Sequence, residues 1–144
     1  MMTIYSLQLL QLDFSSEKDK IERKYELQFK LNEQHFIYNI VPPTFLVKSL
    51  CLKSLTYLTS EVTSSIVSNL DHLENLMITD CCGLQSLFVE SESKFLKLTI
   101  LDCLQLKSLH LSTSKLKSFR YRGPLPRIWP GSHFNLCHAI LDFR

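Results

Sequence analysis

A stack of short parallel strands joined by polar turns, an α/β arrangement of mostly β structure with few short helices, is the fold class this sequence predicts. Three observations carry it. First, an apolar triplet of fixed internal spacing (a large residue, another three on, a third two further) recurs as Leu73/Leu76/Ile78, Leu84/Leu87/Val89, Phe95/Leu98/Ile100, Leu106/Leu109/Leu111 and Leu116/Phe119/Tyr121. Second, the middle members step by 11, 11, 11 and 10 residues, while the gaps hold polar runs such as Glu90 to Lys94 and Ser112 to Lys115. A helix would need those gaps filled at three and four, so each triplet reads as a short strand whose members two apart share a face. Third, Asp80-Cys81 and Asp102-Cys103 follow every second triplet only, so the true period is 22.

That pattern, L-x-x-L-x-L-x-x-C-x-x-L, is a leucine-rich repeat, whose single coil cannot bury its own leucines and must stack on its neighbours. The expected architecture is an α/β leucine-rich repeat solenoid, an RNI-like right-handed superhelix spanning residues 1–123, with a C-terminal loop and partial cap over 124–144. At 144 residues, 45% hydrophobic and 21% charged, the chain can bury a core, and three glycines and five prolines argue against a linker-rich chain. A net charge of +2 gives no reason to expect a nucleic-acid partner. The five cysteines (51, 81, 82, 103 and 137) are odd in number and contain no CxxC pair. Reduced thiols of an intracellular protein, cytoplasmic or nuclear, are expected, with Cys81 and Cys103 acting as small buried apolar groups.

Taken in order, Met1 to Phe14 lacks the basic start and small-residue cleavage site of a secretory leader. Leu7, Leu10 and Leu12 instead fit a first strand entered without a preceding cap, so a truncated product or fragment is expected. Residues 15–44 read as an irregular insertion: SSEKDKIERK has no apolar face, Tyr25, Leu27 and Phe29 alternate weakly, and Pro42-Pro43 stops regular pairing. The pattern returns with Leu52 and Leu55, and Leu52 lies 21 residues before Leu73. Apolar residues at 62, 66 and 70 behind Thr and Ser predict a short helix over roughly 64–70. The inner sheet is expected from strands near 52–57, 74–79, 96–101 and 117–122, and outer strands near 85–90 and 107–112. The glycine and prolines of Arg122 to Arg127 predict a loop leaving the stack, and a strand near 134–142 a partial cover.

No catalytic signature is present: no glycine-rich phosphate loop, HExxH or GxSxG. Glu90 and Glu92 lie in a polar turn, where solvation is the expectation. His133, Cys137 and His138 are near one another, but ordinary histidines of a terminal segment account for them, so no metal or cofactor is expected. What remains is surface. Alternation turns outward the residues between ladder positions, and the candidate protein-binding face is Met77, Thr79, Lys97, Thr99, Lys117, Arg120 and Arg122. Apolar in the middle and basic towards its end, this patch suits an apolar segment of another protein rimmed by acidic groups.

The segments VTSSIVSNLDHLENLMITDCCGLQSL and KLTILDCLQLKSLHLSTSKLKSFRYRG resemble the leucine-rich repeat region of plant F-box/LRR proteins, including those with a C-terminal FBD domain. The resemblance covers about residues 46–123 and, more weakly, 5–45. It implies a non-enzymatic module that selects proteins for a cullin-type ubiquitin ligase. The family's docking of the ligase adaptor uses an F-box, and no LPxxxLxxILSxLP segment precedes Leu7. The alternatives are an innate-immune type repeat sensor and a gene fragment without function. The unknown ligand is a protein in the first two readings, with neither nucleic acid nor membrane involved.

Overall fold

The computed structural model describes residues 9–13, 47–70, 72–89, 96–113, 115–130 and 136–144. The readings placed on residues 15–44, on Glu90 and Glu92 and on His133 lie outside them. Among the described residues the chain is mixed α/β, with nine strands, one helix and no closed barrel. Strands β1 (Leu9–Asp13), β2 (Ser49–Lys53), β3 (Asn75–Thr79), β5 (Lys97–Leu101), β7 (Ser118–Gly123) and β9 (His138–Phe143) form one sheet in that order. Strands β4 (Ser86–Val89), β6 (Ser108–Leu111) and β8 (Arg127–Pro130) form a second. Every pairing in both sheets is parallel.

Register shows why the triplets recur. Leu50, Leu76, Leu98 and Phe119 lie side by side, as do Leu52, Ile78, Ile100 and Tyr121. Leu87, Leu109 and Ile128 align in the second sheet. The two apolar faces share one core, in which Leu52, Ile78, Leu84, Leu87, Ile100, Leu109 and Leu116 are completely buried.

The turn after each long strand repeats as well. Ser54, Asp80 and Asp102 all hold a left-handed backbone, with φ of 57°, 53° and 57°. Short polar side chains tolerate this conformation better than bulky ones do. Each N–H continues the ladder, Ser54 to the Thr79 carbonyl (3.0 Å), Asp80 to that of Leu101 (2.8 Å) and Asp102 to that of Arg122 (2.8 Å). One position on, Leu55, Cys81 and Cys103 point into the core. The Cys81 thiol donates to the Thr79 carbonyl at 3.3 Å, and that of Cys103 to the Leu101 carbonyl at 3.6 Å. A hydrogen bond with Cys81, reinforced by burial, pushes the Cys103 thiol well above the ordinary range. The same hydrogen bond lowers the Cys81 thiol, so burial alone shields that group; under native conditions iodoacetamide should label Cys82 and Cys137, which are exposed, and spare the buried Cys81 and Cys103 until the chain unfolds, as peptide mass mapping checks.

Three expectations shift. The strand expected at 52–57 is β2, at 49–53, and Leu52 pairs with Ile78, so it holds the third place of its triplet and not the first place that Leu73 holds. The reason is α1 (Ser60–Asn69), whose ten residues lengthen this return, so that Ser54 meets Asp80 26 positions on whereas Gly83 meets Gln105 22 on. The helix also starts earlier than 64. Thr59 is its cap, accepting from the Val62 N–H at 3.3 Å, while Thr63 is buried inside the first turn and its hydroxyl donates to the Thr59 carbonyl at 2.9 Å. Ile66 is fully buried and Val62, Val67 and Leu70 pack partly against the same core.

Finally, the loop expected to leave at 122–127 does not leave. Gly123, at φ 149°, bends the chain where a Cβ would come within 3.1 Å of the Tyr121 hydroxyl oxygen, and that hydroxyl donates to the Pro124 carbonyl. The chain then adds β8 beside β6, and the strand expected near 134–142 is β9, paired in register with β7.

Candidate protein-interaction face

The outward face of the six-stranded sheet follows from the same alternation that builds its core. From β2 to β9 it presents three rows: Ser49, Asn75, Lys97, Ser118, His138; Cys51, Met77, Thr99, Arg120, Ile140; and Lys53, Thr79, Leu101, Arg122, Asp142. Six of the seven residues expected to form the binding face offer surface. Met77 is 38% exposed, Lys97, Lys117 and Arg120 are exposed, and Thr79 and Arg122 are half-buried. Lys117 sits just before β7, where its carbonyl receives the His138 N–H at 2.9 Å and its side chain enters solvent.

Thr99 is the exception and corrects the expectation, for it is only 3% exposed. Its short side chain stands between the longer Met77 and Arg120 of the neighbouring strands, in one row. Thr99 shapes the floor of the patch without offering surface. Ser54 is buried at the corner and donates to the Asp80 carboxylate at 3.1 Å.

The basic end is less uniform than a count of charges suggests. The Arg122 guanidinium grips the Asp102 carboxylate with two bonds, Nε to Oδ1 at 3.0 Å and Nη2 to Oδ2. The hydrogen bond from Arg122 holds the Asp102 carboxyl below the usual carboxylate range. Arg122 is thus fixed in orientation and partly neutralised. Among the described residues no ion pair engages Lys97, Lys117 or Arg120. These three carry the positive field of the patch, on the β5–β7 side of Met77 and beside the exposed Leu96.

A second surface escaped the sequence reading. On the outward face of the three-stranded sheet Phe88, His110 and Trp129 lie in register and stack, with ring centroids 4.4 Å and 5.9 Å apart and interplanar angles of 15° and 7°. For Phe88 and His110 the signal was available, since each lies between two ladder positions of an expected outer strand; for Trp129 it was not, because no strand is expected at 127–130.

Among the described residues no group of three or more His, Cys, Asp or Glu could hold a metal ion, and no helix is long and apolar enough to cross a membrane. Comparison with family models, curated proteins and solved structures finds no match.

Proposed function

We propose that the chain is a leucine-rich repeat solenoid that binds another protein through the outward face of its six-stranded sheet and catalyses no reaction. In this reading the partner presents an apolar segment with acidic flanks, which seats on Met77 and Leu96 while Lys97, Lys117, Arg120 and, less strongly, Arg122 meet its charges. The observation that carries it is the exposed Met77 on a parallel sheet, with Lys97, Lys117 and Arg120 on the β5–β7 side of it and, among the described residues, no ion pair to those three. Apolar area at the centre supplies affinity, and the basic rim supplies orientation and on-rate.

The repeat assignment rests on recurrence of chemistry as well as spacing. A core pair two apart, a left-handed Ser or Asp, a buried Leu or Cys and a second buried leucine follow one another in successive units (Leu50, Leu52, Ser54, Leu55, Leu58; Leu76, Ile78, Asp80, Cys81, Leu84; Leu98, Ile100, Asp102, Cys103, Leu106). The likeness to F-box/LRR proteins makes substrate selection for a cullin-type ubiquitin ligase the preferred cellular setting, in cytoplasm or nucleus. Docking to the ligase adaptor forms no part of the proposal.

Affinity purification with quantitative mass spectrometry tests it. The variant Lys117→Ala/Arg120→Ala/Arg122→Ala should lose a partner by about tenfold or more, since each rim charge contributes on the order of 0.5 kcal/mol or above. The control Lys107→Ala/Arg127→Ala, on the other sheet, should keep it. Equal retention by both variants would remove this face from consideration.

A further inference from the structure

We propose that β9 is a self-recognition edge, pairing antiparallel with β9 of a second copy of this chain about a two-fold axis at Ile140. β9 is the last strand of the six-stranded sheet, and among the described residues nothing pairs with its open side. Its apolar side chains are unusually bare for a strand, with Ile140, Leu141 and Phe143 each left nearly half exposed. Leu141 stands in register with Tyr121 at the end of a row that is buried from Leu52 to Tyr121. An edge of this kind, carrying exposed apolar residues, is a template for another strand.

The backbone says which residues would meet. The His138 N–H donates to the Lys117 carbonyl at 2.9 Å and that of Arg144 to the Gly123 carbonyl at 3.1 Å. In a parallel ladder this alternation turns residues 138, 140, 142 and 144 towards β7. The N–H and C=O groups of Ala139, Leu141 and Phe143 are therefore aimed at the open edge. An antiparallel partner must bring such groups opposite one another while keeping like faces together. With Ile140 on the axis, Ala139 of each copy faces Leu141 of the other as a hydrogen-bonded pair, small against large.

Charge selects this register over its neighbour. With Ile140 central, His138 of each copy stands opposite Asp142 of the other, an imidazole donor against a carboxylate, twice over. Arg144 reaches Asp142 within the chain through Oδ2 alone, at 3.0 Å and 3.2 Å, which leaves Oδ1 for the second donor. Moving the axis to Leu141 would set His138 against Arg144 and bury Asp142 beside Ile140. Directly opposed pairs of opposite charge favour a register and like pairs disfavour it.

Sedimentation equilibrium of the full chain should give a particle of twice 16.8 kDa. His138→Asp, which faces acid with acid, should raise the dimer dissociation constant by about tenfold or more, and His138→Asp/Asp142→Lys should recover the dimer. In a Cys82→Ser/Cys137→Ser background, Ile140→Cys should cross-link into a disulfide dimer on mild oxidation. Opposed residues of a non-hydrogen-bonded antiparallel pair lie with Cα atoms roughly 4.5 Å apart, within disulfide reach. A monomer at every accessible concentration overturns the proposal. So does a dimer indifferent to His138→Asp that fails to cross-link, or a series of species beyond the dimer, which would mean head-to-tail stacking. Far-UV circular dichroism shows that each variant, altered only at exposed or half-buried positions of this strand or at an exposed cysteine, is folded.

Discussion

Leu98→Ala should destabilise the chain by about 2 to 5 kcal/mol, whereas Lys97→Ala beside it should cost less than about 0.5 kcal/mol. Leu98 lies between Leu76 and Phe119 in a row that runs through the six-stranded sheet, and it is buried. Truncation removes its methyl groups from the core and leaves a void that strands on both sides, hydrogen-bonded in fixed register, cannot close. Lys97 shares the backbone pairing but projects to the exposed face, so its removal touches no core packing. Urea melts of the two variants measure the difference directly. Equal costs would mean that the two faces of β5 are assigned the wrong way round.

The second large effect is expected at Tyr121, where packing and a polar handle coincide. Tyr121→Ala should cost about 3 to 5 kcal/mol, the range for removing a large buried aromatic side chain. Tyr121→Phe, which keeps the ring between Ile100 and Leu141 but abandons the hydroxyl's bond to the Pro124 carbonyl, should cost about 1 to 3 kcal/mol. Tyr121 also leaves a mark on the pH dependence. Burial raises its phenol above the ordinary value of 10.0. Below that value the group is neutral in both folded and unfolded chains, and its stabilising contribution is intact. As pH rises through the window between the unfolded and folded values, the unfolded chain ionises first and stability is lost. Wild type should therefore lose stability above pH 10 more steeply than Tyr121→Phe. Parallel slopes in denaturant melts taken across that range would contradict the burial of the phenol.

Much of the fold was legible because both faces of the core leave a period in the sequence. The pairs Leu76/Ile78, Leu98/Ile100, Leu87/Val89 and Leu109/Leu111 could be placed in strands from alternation, and Cys81 and Cys103 marked equivalent turns. The phase of β2 was not legible. Val47/Leu50/Leu52 and Leu52/Leu55/Tyr57 both carry the three-then-two spacing, and only the length of the return through α1 decides between them. No strand is expected at 127–130 from the sequence, because the glycine and prolines of Arg122 to Arg127 mark a loop; yet β8 forms there, and Pro130 falls at its last position, where a missing N–H interrupts nothing further along that strand.

The candidate face divides in the same way. Its direction followed from alternation, so Met77, Lys97 and Arg120 could be identified without coordinates. The burial of Thr99 could not, because it depends on which side chains flank it across two strand pairings. Nor could the engagement of Arg122, since its partner Asp102 lies 20 positions away and only register brings the two together.

Methyl and amide nuclear Overhauser effects in an isotopically labelled sample test the stacked parallel arrangement most directly. The account predicts cross-strand contacts from Leu76 to Leu98 and from Leu98 to Phe119, with Leu87 against Leu109 in the other sheet. Strands found antiparallel, or Leu76 and Leu98 found on elements that never touch, would contradict it.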